Sequence, residues 1–104
     1  MEMDKLELLK KISNPAEVMR KAKDYLGSGV IIHISTQKNK KYMVMNPQTN
    51  KYVHFGSFNP PLSDFTYHKD NIRRNAYLKR AKNIKGNWRN DKYSPNNLSI
   101  HLLW

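Results

Sequence analysis

Residues 41–55 read Lys-Tyr-Met-Val-Met-Asn-Pro-Gln-Thr-Asn-Lys-Tyr-Val-His-Phe. Two five-residue runs rich in Tyr, Val, Met and Phe flank Asn46-Pro47-Gln48-Thr49-Asn50, whose Asn, Pro and Asn suit a four- or five-residue hairpin loop. In each run a Lys and a Tyr alternate with apolar side chains, so each strand is expected to have one wet face and one packed face. Upstream, Val30-Ile31-Ile32-His33-Ile34 is β-branched, short and bounded by Gly29 and Ser35, which predicts a buried strand. Together these runs predict a three-stranded antiparallel meander.

Helix signals lie on both sides of the sheet. Asp4 offers a cap to a first helix carrying Leu6, Leu9 and Ile12, and Asn14-Pro15-Ala16-Glu17 supplies an N-cap, a first-turn proline and an acid at N3. From Pro15, Val18, Ala22, Tyr25 and Leu26 form one stripe, and Gly27 supplies a left-handed C-terminal residue. After the hairpin, residues 56–64 hold Gly, Asn, Ser and two prolines and predict a loop. From Thr66 or Asp70 onward, Ile72, Ala76, Tyr77, Leu78, Ala81 and Ile84 are compatible with a helix that Gly86 stops. Ser94-Pro95 then reads as a cap and first turn, and Leu98, Leu102, Leu103 and Trp104 are expected to dock into the core as a short helix, although the alternation Leu98/Ile100/Leu102/Trp104 also fits a strand. The expected fold is therefore α+β: a small three-stranded antiparallel sheet, an N-terminal helical pair, a basic helix and a short C-terminal helix. Charge divides it into an N-terminal helical segment, 1–27, and a compact basic α+β domain, 28–104.

That division follows from the chain's dominant compositional fact. Among 104 residues, 19 are Lys or Arg and 8 are Asp or Glu, a formal charge of +11. Residues 1–27 hold six basic and five acidic side chains, whereas residues 69–92 alone hold nine basic side chains against Asp70 and Asp91. A chain of this length makes one small domain with little room for a deep catalytic cavity. Zero cysteines exclude disulfides, Cys-ligated zinc, iron–sulfur clusters and a thiol nucleophile, and an intracellular setting is the default. No apolar run approaches the roughly 18 residues that suggest a membrane span, and residues 1–11 lack the basic-then-apolar order of a signal peptide. The 11% aromatic content argues against disorder.

The basic window is the candidate working surface. Lys69, Arg73, Arg74, Lys79, Arg80, Lys82, Lys85, Arg89 and Lys92 supply point charges for phosphates, and Tyr77 and Trp88 supply rings able to stack on bases. The same charges equally suit an acidic protein surface or plain solvation. A second cluster, Asp64, His68 and Asp70, offers two carboxylates and an imidazole within seven residues, enough in principle for a Mg²⁺-dependent nuclease. Capping explains the same residues: Asp64 or Thr66 can cap the helix, and Asp70 favours its first turn. His33, His54 and His101 are isolated and read as structural. No phosphate-binding glycine loop, nucleophile elbow, zinc-finger spacing or RNP pattern occurs, so neither nucleotide hydrolysis nor sequence-specific readout is indicated. No metal, cofactor or small-molecule substrate is expected.

Several blocks in order carry a resemblance: Tyr52-Val53-His54-Phe55-Gly56, then 64–70 (Asp-Phe-Thr-Tyr-His-Lys-Asp), Arg73-Arg74 with Tyr77 and Arg80, Trp88, and Ser94-Pro95 with Leu98, Ser99, Leu102, Leu103 and Trp104. Over roughly 40–104 the chain resembles a family of small basic proteins of unknown function from large nucleocytoplasmic DNA viruses, of iridovirus-like and chlorella-virus-like groups. Residues 1–35 lie outside it, and Phe58-Asn59-Pro60-Pro61 departs from the Gly-containing connection of that family. The resemblance implies no enzymatic activity and so no catalytic residues. It implies a virion component made in an infected host cell, one that coats the genome through non-specific DNA binding or cements acidic capsid proteins. The expected function is accordingly non-enzymatic binding of a polyanion, with DNA backbone placed first and a minor capsid or cement role second.

Overall fold

Local capping chemistry sets the helices. In the computed structural model, which describes residues 4–104, helix α1 (Lys5–Leu9) begins where the Asp4 carboxylate accepts the Glu7 amide, and α2 (Pro15–Leu26) begins where Asn14 accepts the Glu17 amide. Helix α2 closes at Gly27, whose φ of +118° is open to glycine and costly for other residues. Val18 and Ala22 lie fully buried on its inner stripe.

The sheet is a meander in the order β1 (Ile32–Ile34), β2 (Lys40–Asn46), β3 (Lys51–Ser57), antiparallel throughout. Its hairpin turn uses Asn at both ends: Asn46 Oδ1 accepts the Gln48 amide at 3.0 Å, and Asn50, at φ +56°, donates its amide to the Asn46 carbonyl at 2.8 Å. Strand β1 is shorter and wetter than expected. Only Ile32, His33 and Ile34 pair with β2, at Val44, Met43 and Tyr42, and Ile31 is 60% exposed. As part of an antiparallel sheet it needs one covered face, not two.

The pattern on β2 differs from the expected alternation in one instructive way. Tyr42 and Val44 face the core beside Phe55, but Lys41, expected on the wet face, is buried as well. Lys41 stands beside Gly56, the residue before β3 ends. A Cβ at Gly56 would sit 2.9 Å from Leu103 Cδ1 and 3.1 Å from Lys41 Cβ, and its φ is +81°. Glycine there lets the C-terminal turn close over the Lys41 stem, so this end of the sheet is covered on both faces.

The polypeptide then makes α3 (Phe65–His68) and α4 (Asn71–Lys82) where one helix was expected. Lys69 separates them at φ +55°, and Asp64 and Asp70 cap one helix each. Helix α4 ends at Lys82 rather than at Gly86, and Ile72, expected on its apolar face, is 83% exposed. A 3₁₀ turn (Trp88–Asn90) leads to α5 (Pro95–Leu98), capped by Ser94, and to a π-helical turn (Ser99–Leu103) closed by the Trp104 amide on the Ser99 carbonyl at 3.1 Å. The C-terminal element is helical, not a strand, and it delivers Leu98, Leu102 and Leu103 to the core.

That core also contains Leu9, Val18 and Ala22 with Tyr42, Val44 and Phe55. Lys5 Nζ ties α1 to the loop after β1 through the carbonyls of Ser35 and Gln37, at 2.7 and 2.8 Å. The compositional break near residue 27 is therefore no break in packing: residues 4–27 fill the same core as the rest. The molecule is α+β, and among its described residues no helix is long and apolar enough to cross a membrane.

Candidate functional site

The two carboxylates of the 64–70 cluster are already engaged. Asp64 is fully buried: Oδ2 accepts from Lys41 Nζ at 3.0 Å, and Oδ1 accepts the Thr66 amide at 3.0 Å and the Thr66 hydroxyl. Thr66 Oγ1 in turn accepts the Asn14 amide at 2.9 Å and lies 3.3 Å from Ser13 Oγ, which accepts from the Tyr42 hydroxyl at 2.7 Å. This network fastens the α1–α2 connection to β2 and α3. Burial pushes Lys41 below the ordinary lysine range against the pull of Asp64, and pushes the Tyr42 hydroxyl well above its usual value.

Asp70 spends Oδ1 on the amides of Ile72 and Arg73, and His68 Nδ1 accepts the Asp70 amide at 2.9 Å. Asp64, His68 and Asp70 thus serve structure at three different points, and among the described residues no three His, Asp or Glu side chains gather as the ligands of a metal would. The remaining histidines make side-chain contacts: His54 Nδ1 lies 2.6 Å from Ser35 Oγ, His33 meets Tyr52 edge-on, and His101 stacks on Tyr25 at 4.2 Å.

The basic window has a division of labour that its composition conceals. Lys69 pairs with Glu17; Arg74 donates Nε to the main-chain oxygen of Trp104 at 2.7 Å and lies 5.2 Å from the Phe65 ring. Arg89 covers the Trp88 ring at 4.4 Å, and Lys92 donates to the Tyr25 carbonyl at 3.1 Å. These four side chains brace the fold. Lys79, Arg80, Lys82 and Lys85 are exposed without an ion-pair partner among the described residues, and Arg73 holds only Ser63 Oγ, at 2.9 Å. The two rings are not open platforms. Tyr77 stacks on Trp104 at 4.2 Å and 10°, and half-buried Trp88 donates Nε1 to the Ile84 carbonyl at 2.7 Å.

Helix α4 stands between two clefts. One, of about 480 Å³, separates it from the open end of the hairpin and α5, with Lys40, Arg73 and Arg80 on its walls and Tyr77 and Trp104 within it. The other, of about 470 Å³, lies towards α2 and the C-terminal turn and carries Lys21, Arg74, Lys82 and Arg89 with Tyr25 and His101. Among the described residues no Asp or Glu lines either cleft. The crowding of positive charge affects its members. Burial lowers the Lys21 pKa, opposed by Glu17 and reinforced by Lys69 and Arg74; burial lowers that of His101, with Lys82, Lys21 and Lys92 adding repulsion.

Lys21 and Lys40 were missed because they sit outside the basic window. Lys21 belongs to the segment whose charges nearly cancel, yet it lies three residues after Val18 and four before Tyr25, at the border of the buried stripe. That spacing is the signal that brings it beside α4. Lys40 precedes the buried Lys41 on β2, and both line the cleft between α4 and the open end of the hairpin.

The family of unknown function DUF5754 matches residues 30–81, half of the chain, and the chain belongs to that family. The matched stretch contains the whole sheet, α3 and most of α4. No curated protein and no solved structure matches the chain.

Proposed function

We propose that this member of DUF5754 is a non-enzymatic binder of a polyanion, in the first place of DNA backbone, and that it serves as a virion-associated structural protein of a large DNA virus. One observation carries the binding part. Both flanks of α4 carry cations into clefts that no Asp or Glu among the described residues lines. The surplus charge of this molecule is therefore presented on both sides of one helix, and phosphate contacts of this kind supply affinity without reading sequence. The viral setting is supported by the ordered resemblance over 40–104.

Replacing Arg73, Arg80 and Lys82 by Glu together is expected to weaken binding to duplex DNA by roughly 100-fold at low salt, and to lower the salt slope by about one for each lost phosphate contact. Lys10→Glu with Lys11→Glu, an equal-sign change on exposed residues outside both clefts, is expected to stay within about threefold. Equal losses from both sets would overturn the localisation; no binding by the native chain would overturn the function.

A second reading, contact with acidic capsid proteins, has an observation of its own. Near the β1 edge Ile31, Met45 and Tyr52 are exposed at 60%, 38% and 44% and line a cleft of about 510 Å³, an apolar patch that DNA binding does not use. Mass spectrometry of purified virions separated into capsid and core decides between the two: recovery with the core supports the first, recovery with the shell supports the second, and absence from both refutes a virion role.

A further inference from the structure

We infer that α4 enters the major groove of duplex DNA as a ridge, with one phosphate backbone seated in each of the clefts beside it. The inference rests on the polyanion reading above and adds the form of the partner, its orientation and the side chains that meet the bases.

The helix itself supplies the first argument. At about 100° per residue, Ile72, Asn75, Ala76 and Lys79 form the crest of α4, Arg73 and Arg80 lie on one flank, and Leu78 and Lys82 lie on the other. Burial agrees with this wheel. Ala81, opposite the crest, is buried and Tyr77 and Leu78 are half-buried, while Ile72, Asn75, Ala76 and Lys79 are exposed. A ridge of this kind is about 10–12 Å across with its side chains, and the twelve residues of α4 span about 18 Å. The major groove of B-DNA is about 12 Å wide and about 8.5 Å deep, whereas the minor groove, at about 6 Å, does not admit a helix.

Charge supplies the second argument. A helix lying in the major groove has a phosphate row on either side, and each cleft adds a cation from the body of the molecule to those of α4: Lys40 on one side, Lys21 on the other. A single strand occupies one cleft and leaves the other unused. The crest is the third argument. Ile72 is 83% exposed on that crest, beside Asn75 and Lys79. Against base edges an aliphatic side chain meets the thymine methyl, an Asn amide pairs with adenine N6 and N7, and a Lys reaches guanine O6 and N7. Ile72, Asn75 and Lys79 present those three chemistries in order along one line.

The test measures anisotropy of the full-length chain with a labelled duplex of about 20 base pairs, two helical turns. The comparison probes are its single strand, the same duplex with glucosylated 5-hydroxymethylcytosine filling the major groove, and an A/T-rich duplex with distamycin filling the minor groove. Expected are binding to the plain duplex about tenfold tighter than to the single strand, a further loss of about tenfold or more on glucosylation, and less than about a twofold change with distamycin. Asn75→Glu places a carboxylate on the exposed crest; it is expected to lower duplex affinity about tenfold with an unchanged melting temperature, since surface substitutions of this kind leave stability nearly unchanged. Equal binding to plain and glucosylated duplexes, or displacement by distamycin, would overturn the orientation while leaving backbone binding in place. Failure to bind DNA of any form would remove both readings.

Discussion

Removing one member of the Lys41–Asp64 pair leaves the other charge buried and uncompensated. Asp64→Ala is therefore expected to destabilise the fold by about 3–5 kcal/mol in urea denaturation, whereas the double change Lys41→Met with Asp64→Leu is expected to cost less than the single. A loss below about 1 kcal/mol for Asp64→Ala would show that the pair is solvated. His68 gives a second prediction at this scale. Burial and the Arg73 guanidinium hold its pKa below the ordinary imidazole value, against Asp70 and Asp64, while Lys41 adds repulsion. The unfolded chain then takes up the proton first, so stability is fully present above about pH 6.5 and falls as the pH drops from there towards the folded pKa. His101, also lowered, acts in the same direction. His68→Asn is expected to flatten the decline between pH 7 and 5, and an unaltered decline would assign it to other groups. Neither feature could be read from the sequence: Lys41 alternates like a wet-face residue, and its burial depends on Gly56 admitting Leu103 from 47 residues away.

At the scale of elements, capping chemistry was the most legible part of the chain. Asp4, Asn14, Asp64 and Ser94 each accept the amides that their positions suggested, because a cap is decided within four residues, while Asp70, expected in a first turn, is itself the cap of α4. The break at Lys69 was not legible, since a left-handed lysine has no sequence signature. Ile72 was misplaced for a related reason: apolar spacing assigns a residue to a face but does not say whether anything covers it. Asp70→Ala, which strips two amides at the start of α4, is expected to cost about 1 kcal/mol and to weaken DNA binding with it; loss of stability without loss of binding would separate the helix from the site. Gly56→Ala is expected to cost about 1–3 kcal/mol, through a positive φ and through the encounter with Leu103. A neutral result by thermal melting would mean that the C-terminal turn yields easily.

Across the whole molecule the antiparallel meander followed from residues 30–34 and 41–55, and the charge followed from counting, but the site did not. Its surplus lay in residues 69–92 as expected, yet the clefts exist because α2 and β2 bring Lys21 and Lys40 alongside α4, and proximity across 50 residues and 30 residues leaves no trace in composition. Nor did composition show that Lys69, Arg74, Arg89 and Lys92 are spent on bracing the fold. On the proposed reading, the exposed cations of α4 and the cleft lysines reach about five phosphates, and duplex binding is then governed by counterion release. The most direct measurement is the affinity of the full chain for duplex DNA as a function of salt: the expected log–log slope lies near about −4 to −5, and a flat response, or no binding at low salt, would contradict a phosphate-binding surface.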